Sequence, residues 1–197
     1  IQGDSRIMIY RDITARVPKA APFLRFDADP YSAVVEGRLV WIWDAYTTTD
    51  QYPYSDFVDL SEVASASAQE QAPSLGGDVN YLRNSVKVVV DAYNGSLRYY
   101  VADPEDPIIQ AWSLAFPTMF TSMDEASPEL LAHFRYPENL FQIQAFEYTN
   151  YHVTDPNVFY GKQDYWALPI DPTSAGGAQA GMRRYSVLVG RPGAAGE

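Results

Sequence analysis

The sequence predicts an α+β domain: a mostly antiparallel sheet from two hairpins, at about 31–46 and 85–103, with helices packed against it. Three observations predict it. Asn94-Gly95 sits between two alternating apolar runs, and these residues tolerate the positive φ of a tight hairpin turn. Glu36-Gly37 separates a second such pair of runs. Helix-start signals, Asp106-Pro107 and Ser127-Pro128, follow the second hairpin.

Taken in order, residues 10–27 open with Ile13, Val17, Ala20, Ala21 and Leu24 at helical spacing. Pro18 lies inside that pattern and predicts a kinked or shortened helix. The run 31-YSAVVEGRLVWIWDAY-46 follows. Its return strand is apolar on both faces, Leu39, Trp41 and Trp43 on one and Val40 and Ile42 on the other, which marks a central strand. Residues 56–79 are small, polar and Gly/Pro-terminated; they read as a surface excursion with room for a short helix at 60–70.

In the second hairpin, a two-residue turn at Asn94-Gly95 sets Ala92 opposite Leu97, Val90 opposite Tyr99 and Val88 opposite Val101, all on one face. It also sets Asp91 across from Arg98, a pair worth about 0.2–1 kcal/mol. The helix capped by Asp106 shows Ile108, Ala111, Trp112 and Ala115 on one face. The Ser127-Pro128 helix carries Leu130, Leu131 and Phe134, and a longer helix from near Pro137 has Phe141, Ala145 and Tyr148 as its expected buried stripe. A last strand is expected at 185–189. Residues 1–197 read as one domain. The tripeptide Asp-Ala-Tyr recurs at 44–46 and 91–93, which suggests a weak internal duplication of 10–55 and 80–120.

Composition narrows the function. A net charge of −11 disfavours phosphate backbones and anionic lipid, so no nucleic-acid partner is expected. Absence of cysteine removes disulfides, thiol nucleophiles and Cys-ligated zinc. No apolar run reaches the roughly 18–20 residues that span a bilayer. The start at Ile1 and the Gly-rich end 190-GRPGAAGE-197 suggest a piece of something longer.

Candidate chemistry is sparse. His133 and His152 lack any local Ser or acid arrangement, and no Gly-x-Ser-x-Gly elbow, phosphate loop or dinucleotide fingerprint occurs. Asp103, Glu105 and Asp106 crowd together in 103-DPEDP-107, oxygen ligands of the type that hold Ca²⁺, although helix capping already accounts for Asp106. Tyr46, Tyr52 and Tyr54 concentrate in the loop-like run 46-YTTTDQYPYSDF-57 and are the candidate binding residues, since aromatics bring large contact area at low entropy cost. Packing is the competing role for each.

Several long blocks also carry a resemblance. The runs 80-NYLRNSVKVVVDAYNG-95, 106-DPIIQAWSLAFPTMF-120, 130-LLAHFRYPENLFQIQ-144 and 151-YHVTDPNVFYGKQDYWALP-169, with 22-PFLRFDADPYSAVVEGRLVWIWDAYTTTDQYPYS-55, resemble uncharacterised protein family 0182. The likeness covers most of 6–170; the 61–78 excursion and the Gly/Ala-rich 172–184 depart from it. It implies a large bacterial integral membrane protein whose N-terminal spans precede a soluble portion on the extracytoplasmic side of the cell membrane, this chain being part of that portion. It implies no activity, so no catalytic residue is carried over. Separately, the hairpin at 86–101 is similar to that of PepSY-type modules.

The resulting expectation is a non-catalytic extracytoplasmic domain without a cofactor, other than the Ca²⁺ candidate. Its partners would be the rest of its own membrane-embedded chain and an envelope protein or polymer, with membrane contact only through the missing spans. The alternatives are a carboxylate-dependent hydrolase of envelope polymers, with two acids about 5–10 Å apart, and a PepSY-like regulator of an exported protease.

Overall fold

Two long antiparallel strands, β3 (Arg38–Thr49) and β6 (Tyr81–Asp91), form the axis of the computed structural model, which describes residues 9–60, 75, 77–164, 166 and 169. Strands β1 (Arg25–Phe26) and β2 (Tyr31–Val35) both pair with the other side of β3. Strand β7 (Leu97–Val101) pairs antiparallel with β6, and β8 (Phe120–Ser122) adds to β7 in parallel. A short ladder of β4 (Val58–Asp59) and β5 (Asp78–Val79) joins the ends of the 56–79 excursion. The described helices are α1 (Ile13–Ala20), α2 (Pro107–Ala115), α3 (Pro128–His133), α4 (Glu138–Tyr151) and α5 (Pro156–Tyr160). The α+β class and the central position of β3 are as expected, with one parallel pair whose crossover carries α2. The expected strand at 185–189, and the expected helix at 60–70 from residue 61 on, lie outside the described residues.

The two hairpins behave differently. Glu36 and Gly37 have φ of 52° and 71°, with Val35 opposite Arg38, the two-residue turn the sequence implies. At the second, only Gly95 takes positive φ, 68°. The Asp91 carboxylate accepts from the Tyr93 and Asn94 N–H groups at 2.8 and 3.0 Å, and Gly95 N–H donates to the Asp91 carbonyl at 2.8 Å. This local competitor widens the loop. Val90 therefore faces Leu97, and Val88 faces Tyr99. A shift of two residues leaves every side chain on its face, so the apolar face survives. The expected Asp91–Arg98 pair does not: Asp91 instead receives Arg38 at 2.6 Å, a half-exposed bridge worth about 0–1 kcal/mol.

One face of the sheet carries Trp43, Ala45, Val86, Val88, Val90 and Tyr99, covered by Val17 of α1 and Ile109 of α2. Phe23 stacks on Trp112 there, with ring centroids 4.1 Å apart. The opposite face carries Val40, Ile42, Val89 and Tyr100 against Leu130 of α3. Beyond it, Tyr46, Leu60, Leu75 and Val79 meet Leu140 and Ile143 of α4. A bulge interrupts the long ladder: Ala45 faces Val86, but Thr47 faces Arg83. The extra residue is on β6, and it brings Ser85 round to the same side as Val86.

Three expectations about burial are corrected. Strand β3 runs on to Thr49, so Tyr46 is not in a loop; its side chain is fully buried. In α2 the inward residues are Ile109 and Trp112, while Ala111 and Ala115 are exposed, because the buried Asp106 cap sets the helix phase. In α4 the inward residues are Asn139 and Gln142 together with Leu140 and Ile143, and Phe141 and Tyr148 face outward. The Asp-Ala-Tyr repeats also sit in unlike settings: 44–46 is buried mid-strand, whereas Ala92 and Tyr93 lie at an exposed tip.

Candidate functional site

The interior holds three polar clusters where an apolar sheet would be expected. The first is the cross-strand pair Asp44 and Lys87, register partners in the middle of β3 and β6 and both buried. The Lys87 ammonium donates to the Asp44 carboxylate and, at 2.9 Å, to the Arg135 carbonyl. Burial holds the Asp44 carboxyl above its usual range, and the Lys87 charge opposes that rise. Tyr31 closes this side, donating to the His133 carbonyl at 3.0 Å and accepting from the Arg135 N–H at 3.1 Å. Its phenol is pushed up to about 12, first by burial and then by the charge of Asp44.

The second cluster surrounds Asp27. Its carboxylate accepts from the Tyr46 hydroxyl, from Asn139 N–H at 3.1 Å and from Asp29 N–H at 3.0 Å. The Asn139 side chain returns the contact, accepting from Ala28 N–H at 2.7 Å. Asp27 thus caps α4 from far away in the sequence. Burial raises its pKa against the pull of these donors.

The third is Asp106, which is fully buried. It accepts from Ser85 Oγ at 2.6 Å, Thr47 Oγ1 at 2.5 Å, Tyr81 Oη at 2.6 Å and the Ile108 N–H at 3.0 Å. Burial alone would raise this carboxyl; the four donors together outweigh it and hold the pKa below the ordinary value.

These contacts redistribute the metal candidates. Both oxygens of Asp106 are engaged inward. Asp103 pairs with Arg83 at 2.9 Å, and Glu105 is exposed. Among the described residues no group of three or more His, Asp or Glu side chains is placed to hold a metal ion. His133 ends α3, and His152 follows α4 with its two ring nitrogens each 3.0 Å from a backbone carbonyl, of Tyr148 and of Asp164.

An open groove of about 580 Å³ lies between the β4–β5 end of the chain and α4, lined by Asp56, Phe57, Tyr81, Phe146, Glu147 and Tyr151 among others. Tyr52 stacks on Tyr81 with centroids 5.2 Å apart, and the Asn80 side chain grips the Tyr52 backbone at 2.9 and 2.7 Å. Tyr52 and Phe57 are about half exposed and Tyr54 wholly so, held at φ 61°. Of the three tyrosine candidates, then, Tyr52 stands beside this groove, Tyr54 projects into solvent and Tyr46 belongs to the interior. Glu147 has its pKa raised by burial and by the charge of Asp56. Sequence reasoning missed Phe57, Glu147 and Asp56. It also missed Asp27, Asp44 and Lys87, whose signal was a charge embedded in an otherwise apolar run.

The fold and these clusters define an α+β domain with a hydrogen-bonded ionic interior and an aromatic groove. No solved structure matches the chain. The chain belongs to the uncharacterised protein family UPF0182, whose model matches residues 1–196. Its relatives include UPF0182 proteins of Thermobifida fusca, 48% identical over 90% of this chain and 18% of the relative, and of Methanospirillum hungatei, 45% identical over 96% and 20%. Another, from Micrococcus luteus, is 49% identical over 86% of this chain and 16% of the relative. The chain spans about a fifth of the length of the relatives it matches.

Proposed function

We propose that this chain is a non-catalytic extracytoplasmic domain of a multi-pass membrane protein that binds an envelope polymer or protein in the groove beside Tyr52. The observation that carries this reading is the groove itself: an open, aromatic-walled surface of 580 Å³, within the range of ligand sites. The buried acids support it from the other side, because Asp27, Asp44 and Asp106 are each committed to internal partners. The length of the relatives supports membership of a longer protein. Among the described residues no helix is long and apolar enough to cross a membrane.

Two measurements test it. In a cysteine-free version of the full-length protein, Tyr93→Cys places a thiol at a hairpin tip where the native side chain is 90% exposed. A membrane-impermeant maleimide labels it in intact cells; labelling only after permeabilisation overturns the location. The purified protein co-sediments with isolated cell-wall polymer, and Tyr52→Ala with Phe57→Ala weakens that several-fold. Unchanged sedimentation by the double variant removes the groove from the reading. One observation favours the hydrolase alternative, the placement of Asp56 and Glu147 on the same groove. Release of soluble polymer fragments by the wild type, abolished in Glu147→Gln, would establish it instead.

A further inference from the structure

The groove between the β4–β5 end of the chain and α4 combines an aliphatic floor with acidic groups. Val58, Leu82, Leu140 and Ile143 line it, and each is only partly buried while packed on the cluster around Tyr46. They present hydrocarbon to the cavity as well as to the core. Asp56, from the chain before β4, and Glu147, from α4, line the same cavity. So do the rings of Phe57 and Phe146.

Asp56 is exposed and accepts from the Phe57 N–H at 2.9 Å, whereas Glu147 is half-buried. Burial, and then the charge of Asp56, push the Glu147 carboxyl above its usual range. Among the described residues no Lys, Arg or His lines the groove. The described ion pairs engage Arg38 with Asp91, Arg83 with Asp103 and Lys87 with Asp44. Two like charges beside hydrocarbon carry a cost that an opposite charge relieves. Aromatic faces attract cations through their quadrupole. The net charge of −11 draws a cationic ligand in from a distance.

We propose that this groove takes the side chain of a lysine from a peptide partner, with the ammonium between Asp56 and Glu147 and the alkyl stem along Val58, Leu82, Leu140 and Ile143. Lysine is the form of cation that this lining fits. Its hydrocarbon stem covers apolar surface while the charged head stays at polar groups. An amine carried on a sugar ring would instead set hydroxyls against the aliphatic floor, where they lack partners. This occupant rests on the reading of the groove as the binding site, and narrows its ligand to a lysine-bearing peptide.

Fluorescence anisotropy with the full-length protein in neutral detergent tests it, at physiological salt so that long-range attraction to the acidic surface is screened. The probes are two fluorescein-labelled glycine peptides blocked at both ends, one with a central lysine and one with norleucine. The lysine peptide binds several-fold more tightly. Glu147→Gln and, separately, Asp56→Asn remove that advantage, while Glu129→Gln, the same charge change at an exposed site on α3, keeps it. Equal binding of the two peptides, both lost in Tyr52→Ala with Phe57→Ala, overturns the cation and leaves the groove as the site. A lysine preference that survives both Glu147→Gln and Asp56→Asn overturns the placement. An unlabelled amino-sugar dimer that displaces the probe as well as unlabelled lysine peptide does overturns the choice of a peptide. Binding of neither peptide also overturns the proposal, and sedimentation with the polymer then judges the groove by itself.

Discussion

Lys87→Met is expected to cost about 3–5 kcal/mol at pH 7, the range for removing one partner of a buried ion pair. For a chain of this size that corresponds to a fall in melting temperature of roughly 6–20 °C. The cause is Asp44: the variant leaves its carboxylate buried and uncompensated, and also strips the Arg135 carbonyl of a donor. The deficit carries a pH signature. The folded-state pKa of Asp44 is already raised, first by burial. A raised carboxyl contributes stability that is present below its unfolded value, near 4, and lost as pH rises through the folded value. Without Lys87 the carboxyl rises further, so the variant approaches wild type on acidification as Asp44 takes up its proton. Asp44→Leu with Lys87→Met recovers most of the loss, because two apolar side chains no longer carry charge into the interior. Thermal unfolding of the wild type and the two variants between pH 5 and 8 checks this. A single variant within about 1 kcal/mol of wild type would show that the pair is solvated in solution.

Asp106→Ala is expected to cost about 3–5 kcal/mol: about 1 for the lost helix cap, and the rest for charge-assisted hydrogen bonds at about 1.5–3 each, which are not additive. The three hydroxyls it serves, of Thr47, Ser85 and Tyr81, come from the two central strands. The variant therefore loosens the seam between β3, β6 and α2 together. Here the sign of the pH dependence is opposite to that of Asp44. The Asp106 pKa is lowered in the fold, its donors outweighing burial. Its stabilisation is fully present above the unfolded value near 4 and is lost as pH falls through the folded value. Urea midpoints at pH 7 and pH 3 should show a wide gap between wild type and Asp106→Asn at the higher pH and a narrow one at the lower. Equal gaps would mean that the carboxylate is not the group that matters.

The architecture was legible where local chemistry decides it. Glu36-Gly37, Asp106-Pro107 and Ser127-Pro128 each specify a backbone geometry by themselves, and each does what its residues imply. The second hairpin kept its faces but lost its register, because Asp91 had a nearer use for its carboxylate than Arg98. The polar interior was not legible, for a different reason. Asp44 and Lys87 each read as a charge misplaced in an apolar run; only the pairing of β3 with β6 shows that each answers the other. The bulge adds a further obstacle: Tyr81, Arg83 and Ser85 share a side with Val86, Val88 and Val90 only because one extra residue interrupts the alternation. Period-two reading assumes that no such interruption exists. For α4 the expected stripe of Phe141, Ala145 and Tyr148 was not the buried one: Asp27 fixes Asn139 inward, so Asn139, Leu140, Gln142 and Ile143 meet the core while Phe141 and Tyr148 face outward. Tyr52 was found as an exposed aromatic, whereas Glu147 and Asp56 meet only through the placement of α4 against residues near β4.

Strand length falls from the middle of the sheet to its rims. The inner strands β3 and β6 have 12 and 11 residues, whereas β1, β2 and β8 at the periphery have 2, 5 and 3. Among the described residues, an outside chain seeking to extend the sheet at its rims by backbone pairing meets stubs, while the apolar runs 40–42 and 86–90 of the inner strands are paired on both flanks. Fibrillar growth through these apolar runs is thereby denied a template for as long as the native state persists.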